Sequence, residues 1–295
     1  MRPRFTWQLR SRTLELGQRT LIMGVLNVTP DSFSDGDKFF EPQAAIKHGL
    51  EMLDEGADIL DIGGESTRPG LKAVSSQPAV SSEEELRRVM PVVEGILRQR
   101  PQAVLSIDTY KAEVARTAVE AGAEIANDVS GLQWDPAMAS ALAGLKCGLV
   151  LMHTRGHPAE WRTLPPLAEP LGLVRRELRT RTEAALMAGI TRTRIVLDPG
   201  FGFGKSFDEN YPLLAHFEAL QELRYPLLAG VSRKSFIGRT LASNGHDAPP
   251  HERLYGSLAA MTAAILKGAH IVRVHDVKAA AQAAKIADQI VSKSH

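Results

Sequence analysis

LIMGVLN at residues 21–27 opens a series that fixes the fold. ILDIGG (59–64), VLSID (104–108), IAND (125–128), LVLMH (149–153), IVLD (195–198), LLAGVSRK (227–234) and IVRVH (271–275) follow it. Each is a short apolar run that ends on a polar or charged residue: Asn27, Asp61, Asp108, Asn127, His153, Asp198, Lys234 and His275. Continuous apolar runs of this length suit strands buried on both faces, as in a parallel sheet. Successive runs begin between 21 residues (Val104 to Ile125) and 46 residues (Leu149 to Ile195) apart, enough for a crossover helix in every gap. Eight such units describe a (β/α)8 barrel, whose strand C-termini converge on one functional face. The polar strand ends should therefore meet in one mouth.

Between the runs, helical patterning predicts helices over 42–55, 82–98, 111–121, 136–143, 171–188, 210–220, 253–266 and 277–291. Ser81 and Ser82 before Glu83, Glu84 and Glu85 form a helix-start signal. Gly56, Gly122, Gly189 and Gly268 each close a helix where a left-handed residue is favoured, and GADIL, GAEIA and GAHIV repeat one phrase. Ahead of the barrel, weak alternation over 6–9 and 13–16 predicts a small hairpin that plugs the barrel bottom. The expected division is a hairpin extension (1–20) and a barrel (21–295). Three long loops, 28–41, 65–81 and 154–169, follow strands 1, 2 and 5 of the barrel; the first two, dense in Gly, Pro, Ser and Asp, read as lids.

Composition narrows the partners. Lys plus Arg is 35 and Asp plus Glu is 34, a net charge of +1 that gives no reason to expect nucleic acid or a membrane surface. The single cysteine, Cys147, cannot form an intramolecular disulfide and reads as a small buried residue. No apolar run is long enough to span a bilayer, and the basic start lacks an apolar signal core, so a cytoplasmic protein is expected.

The mouth residues suggest particular chemistry. Asp108, Asn127 and Asp198 could read the donor edge of a heterocycle, since two N–H bonds to one carboxylate are directional and charge-assisted; each alone could instead cap the next helix. Lys234 could donate to a ring carbonyl or nitrogen, or be a solvated surface lysine. Arg233 fits an ion pair as well as a substrate contact. Arg273 and His275 alternate on one strand, so they share a side and form an anion site with Asn27 and the segment Thr67-Arg68-Pro69. Met152 and Phe203 could sandwich a flat ring or belong to the core. The stretch from Pro199 to Ser206 nearly matches a P-loop but lacks its first glycine, and it has no dinucleotide-binding spacing. His153 and His157 sit four apart in a loop rather than on a helix face, a poor zinc site.

In order along the chain, GVLNVTPDSFSDG, DIGGESTRPG, SIDTYK, NDVSG, LDPGFGFGK, GVSRKSFIG and VRVHDV resemble the dihydropteroate synthase family of pterin-binding enzymes, from about Leu21 to Val277. The resemblance implies condensation of a dihydropterin pyrophosphate with p-aminobenzoate, Mg²⁺ as cofactor, and a homodimer. It implies that Asp108, Asn127, Asp198 and Lys234 hold the pterin, with Met152, Phe203 and Gly230 lining its slot. Asn27, Arg68, Arg273 and His275 would hold pyrophosphate, and Asn27 would help bind Mg²⁺. Thr67, Pro69, Ser232 and Lys234 would border p-aminobenzoate, while Asp35 would close the site. The groups assigned to catalysis are thus Asp35, Lys234, Arg273 and His275.

Two stretches depart from the family pattern. SDGDKFF (34–40) has Asp37 where a second glycine is usual, and HTRGHPAEWRTLPPL (153–167) differs after its opening histidine. The loop after strand 6 carries no insertion, which implies ordinary sulfonamide sensitivity. The alternatives are a methyltetrahydrofolate-dependent corrinoid methyltransferase, which has little need of Arg68, Arg273 and His275, and a catalytically silent pterin-binding paralogue.

Overall fold

Apolar side chains that point both into and out of a closed sheet need cover on both sides, and the chain supplies it with helices outside and packed side chains inside. The computed structural model describes residues 2–29, 42–65 and 80–293. A hairpin of β1 (Phe5–Gln8) and β2 (Thr13–Leu16) precedes eight parallel strands. These are β3 (Leu21–Asn27), β4 (Ile59–Gly63), β5 (Leu105–Asp108), β6 (Ile125–Asp128), β7 (Gly148–Met152), β8 (Ile195–Asp198), β9 (Leu228–Ala229) and β10 (Ile271–Val274). They pair in the order β8-β7-β6-β5-β4-β3-β10-β9, and a parallel bridge between Leu197 and Leu227 brings the two ends together. The strands begin within one residue of where the apolar runs place them.

The expected hairpin is present one residue early, at Phe5 rather than Thr6. It plugs the barrel bottom as expected: Trp7, Leu9 and Leu16 pack with Leu21, Met23, Ile59, Val104, Ile125, Val150, Val196, Leu228 and Ile271, which fill the lower interior. Trp7 Nε1 donates to the Arg194 carbonyl at 2.8 Å, so the buried indole is satisfied. His270 is fixed as a neutral ring, because its Nδ1 accepts from Leu227 N at 3.1 Å and its Nε2 lies 2.9 Å from the Pro3 carbonyl. Burial pushes its pKa down to about 4.

The helices are α1 (Pro42–Asp54), α2 (Ser82–Gln99), α3 (Ala112–Glu120), α4 (Met138–Leu145), α5 (Pro170–Met187), α6 (Phe207–Ala215), α7 (Ser235–Thr240), α8 (Leu254–Leu266) and α9 (Val277–Lys293). Ser81 caps α2 and accepts from Glu84 N at 3.2 Å. Gly56, Gly122, Gly189 and Gly268 do adopt φ values of +108°, +120°, +95° and +99°.

Three elements differ from expectation. The helix expected over 210–220 starts at Phe207, because Ser206 and Glu209 form a reciprocal capping box; after His216 the chain tightens into a 3-10 turn, Phe217–Leu223. The helix expected over 136–143 lies two residues later. The short α7 was not foreseen, since six residues carry too little periodicity to register. Among the described residues, no helix is long and apolar enough to cross a membrane.

Candidate active site

Most strand ends deliver their polar residues to one cleft at the C-terminal face of the barrel; His153 does not join it, being fully buried with its Nε2 3.1 Å from Glu177 on α5. It has a volume of about 380 Å³, and its walls include Asn27, Asp108, Phe203, Gly230, Ser232, Lys234, Arg273 and His275. Asn127, Met152 and Asp198 lie just beneath, 3%, 3% and 4% exposed, so they support the floor rather than the open wall. Asp35, Thr67, Arg68 and Pro69 fall outside the described residues, as do the 34–40 departure and nearly all of the two proposed lids.

Arg273 organises the floor. Its Nε donates to Asp61 Oδ2 at 2.6 Å, and its Nη2 donates to Asp108 Oδ2 at 2.6 Å. Asn127 Nδ2 also donates to Asp61 Oδ2, at 2.9 Å. One fully buried carboxylate thus holds both the guanidinium and the amide in place. Asp61 is the site residue that sequence reasoning missed: it was noted at a strand end and given no role. The available signal was its position inside ILDIG, where a charge between apolar neighbours must point into the barrel and find a partner.

The electrostatics follow from burial. Burial pushes the Asp108 carboxyl above the usual range; the Arg273 cation opposes this and Asp61 adds to it. Burial likewise raises Asp198, against the Gly200 N–H and the cations of Lys234 and Arg273. For Arg273 burial alone disfavours the cation, but Asp61 and Asp108 outweigh it and hold the guanidinium more firmly protonated.

Asp198 does not cap the following helix. Its Oδ1 accepts from Gly200 N at 2.7 Å, inside the turn that precedes α6. That turn needs glycine at 200: φ is +66°, and a Cβ there would lie 1.9 Å from the His153 carbonyl oxygen. Lys205, the lysine of the near-P-loop, is buried and donates to the Gly200 carbonyl at 2.8 Å and the Phe203 carbonyl at 3.2 Å. It staples the turn instead of facing a ligand. Gly230 keeps space open between Asp198 and Arg273, since an added Cβ would come 3.6 Å from Asp198 Oδ2 and 3.9 Å from Arg273 Cβ.

Lys234 is no solvated surface lysine. Its Nζ lies 4.0 Å from the centroid of the Phe203 ring, a cation–π contact on the cleft wall. Arg233 takes the ion-pair option, with Nε and Nη2 reaching Asp276 at 3.0 and 2.5 Å. Met152 and Phe203 pack with Val129 in a small apolar cluster, against which Tyr110, Trp134 and Trp161 rest. Cys147 is buried, as expected, and burial pushes its thiol up to about 11.

The loop 154–169, which departs from the family pattern, is braced internally and fastened to the turn before α6 and to α6 itself. Arg155 donates to the Gly204 carbonyl at 3.0 Å and to the Pro165 carbonyl at 2.9 Å; Leu167 N donates to Glu209 Oε1 at 2.6 Å. This brings Trp161 onto the cleft wall, edge-on to Phe203 with centroids 5.2 Å apart. Sequence reasoning left the contacts of this loop open, and Trp161 was not foreseen.

Comparison with known proteins gives a consistent result. The profile of the pterin binding enzyme family matches residues 23–275. A dihydropteroate synthase of Synechocystis is 44% identical over 275 residues, 93% of this chain and 91% of the relative. The solved dihydropteroate synthase of Xanthomonas albilineans with 4-aminobenzoic acid is similar at 45% identity and a TM-score of 0.86, covering 100% of both chains. That of Yersinia pestis with a sulfonamide drug is similar at 42% identity and a TM-score of 0.87, covering 98% and 99%.

Proposed function

The chain belongs to the dihydropteroate synthase family of pterin-binding enzymes, and from that premise we propose how its cleft works. The reaction condenses 6-hydroxymethyl-7,8-dihydropterin pyrophosphate with p-aminobenzoate to give 7,8-dihydropteroate and pyrophosphate, a step of folate biosynthesis. The C–O bond to pyrophosphate breaks with its electron pair leaving on oxygen. The amine nitrogen bonds to the freed methylene carbon and gives up a proton to solvent.

Asp108, Asp198, Asn127 and Lys234 read the polar edge of the pterin, with Met152, Phe203 and Gly230 shaping its slot. Asp108 can hold Arg273 and still accept from a heterocycle, because a carboxylate offers about four lone-pair sites. The buried carboxylates also favour the positive charge that develops on the pterin as the C–O bond opens. Arg273 and His275 take up charge on the departing pyrophosphate. Ser232 and Lys234 border the arylamine. Asp35, Thr67, Arg68 and Pro69 keep the roles that the family resemblance implies. An arylamine is nucleophilic when neutral, so no strong general base is required; positioning and electrostatics carry the rate. The observation that carries this reading is Arg273 bridging Asp61 and Asp108 on the floor of the cleft.

Mg²⁺ fits the cleft through Asn27, whose amide oxygen is a hard donor at a strand end on the cleft wall. Among the described residues no group of three His, Cys, Asp or Glu could hold a metal by itself. The ion would therefore depend on the substrate's phosphate oxygens, as Mg²⁺ often does, and would shield their charge.

Growth of a bacterial strain that lacks its own synthase tests this reading. The gene should restore growth without added folate products, and a sulfonamide should abolish that growth. No rescue would favour the silent paralogue, and rescue unaffected by the drug would contradict the arylamine site.

A homodimer is part of the same proposal. Helix α8, LYGSLAAMTAAIL, is apolar along its whole length, yet only Ser257, Met261, Ala264 and Ile265 are buried. Tyr255 and Leu266 on α8 are exposed, as are Ile286 and Ile290 on the adjoining α9. A helix apolar on all sides is ordinarily covered on all sides. Light scattering should return twice the chain mass of 32.1 kDa; a single-chain mass would contradict it. The expected cytoplasmic location stays within this proposal, and cell fractionation checks it.

A further inference from the structure

We infer that the Ser232 hydroxyl is a positioning group for the leaving-group side of the cleft, holding His275 so that its Nε2 carries a proton. Ser232 Oγ accepts from the His275 backbone N–H at 3.2 Å and lies 3.0 Å from His275 Nδ1. Ser232 is buried, while His275 lies on the cleft wall.

A hydroxyl has one hydrogen and two acceptor sites, so it can serve His275 Nδ1 whether that nitrogen is bare or protonated. The backbone N–H uses one acceptor site. When the imidazole is neutral, Ser232 can donate its hydrogen to Nδ1, which places the ring proton on Nε2, and a phosphate oxygen at Nε2 selects that tautomer because it needs a donor. When the imidazole is charged, its Nδ1–H donates to the second acceptor site of Oγ, and Nε2 again keeps its proton. A carbonyl or carboxylate in the same place would demand a proton on Nδ1 and leave Nε2 of the neutral ring bare. Ser232 thus lets Nε2 act as a donor in either state while Nδ1 stays hydrogen-bonded, as a phosphate oxygen requires.

The segment that carries Ser232 is held to the segment that carries His275. Arg233, at φ +56°, is in the left-handed region, which a long side chain rarely adopts. Its N–H donates to Ser257 Oγ at 2.8 Å, and its carbonyl accepts from Arg253 Nη1 at 2.9 Å. Its guanidinium grips Asp276, the residue after His275. These bonds fix Ser232 against the imidazole.

The proposal rests on the assignment of His275 to pyrophosphate. It adds a function for Ser232 that the arylamine role does not include. Protein labelled with ¹⁵N-histidine reports the ring tautomer directly, and the spectrum of His275→Gln identifies the signals of His275. Wild type with pyrophosphate and Mg²⁺ bound should show the Nε2–H form. Ser232→Ala should show a mixture, bind pyrophosphate with Mg²⁺ about fivefold more weakly, and lower kcat as well as raise the KM for p-aminobenzoate, which Ser232 borders. Ser232→Thr, which keeps the hydroxyl, should restore the tautomer and the affinity. If Ser232→Ala retains both and raises only the arylamine KM, the proposal is overturned. Wild-type protein that binds no pyrophosphate overturns instead the assignment on which the proposal rests.

Discussion

Replacing Arg273 with alanine is expected to lower pyrophosphate release by about a thousandfold, the upper range for removing a preorganised donor from developing negative charge. The same change should cost roughly 3 kcal/mol of stability, because it leaves charges in a buried network without their partner. Asp61 is fully buried and Asp108 largely so, and both lose the guanidinium that bridges them at 2.6 Å. Arg273→Lys separates the two effects. It restores a cation beside Asp61 and Asp108, so most of the stability should return. A single ammonium lacks the planar fork that reaches both carboxylates and still faces an anion, so activity should stay at least about tenfold down. Assays run well below the melting temperature of each variant keep unfolding out of the rates. Wild-type turnover in Arg273→Ala would refute the anion role.

Asp198→Asn should weaken pterin binding about a hundredfold with little change in stability. The asparagine oxygen can keep the 2.7 Å bond from Gly200 N, so the turn should survive. The variant loses the charge that a donor edge pairs with; hydrogen bonds to charged groups are each worth roughly 1.5–3 kcal/mol. Trading a charged acceptor for a neutral one, with one amide hydrogen now facing the ligand, accounts for about 2.7 kcal/mol, which is the hundredfold. Calorimetric titration with the pterin substrate measures this, and thermal melting verifies the fold. Undiminished affinity would remove Asp198 from the pterin site. A collapse in melting temperature would make it a structural residue of the turn instead.

Strand starts and helix ends were legible because each carries a local cause. Apolar runs covered on both faces mark the strands, and the glycines at 56, 122, 189 and 268 mark helix ends through positive φ. The residues gathered in the cleft were legible for a topological reason: most barrel strands present their last polar residue to the same face, while His153 after β7 turns to Glu177 on α5 instead. Partner choice was not legible. Asp61 becomes central only because β4 curves it beneath Arg273 from β10, across a separation of 212 residues. Arg233 could be settled as an ion pair only once Asp276 was seen to meet it. Trp161 reaches the cleft because Arg155 and Glu209 fasten its loop to the turn before α6 and to α6, contacts without any periodic trace in the sequence. Helix α7 and the shifted start of α6 show the same limit: a short element leaves little pattern, and the Ser206–Glu209 cap needed closer reading.

The most direct test of the account is pyrophosphate release by purified protein supplied with Mg²⁺, dihydropterin pyrophosphate and p-aminobenzoate. The account predicts release that requires all three and collapses in Arg273→Ala. Pterin binding without any release in the complete mixture would contradict it.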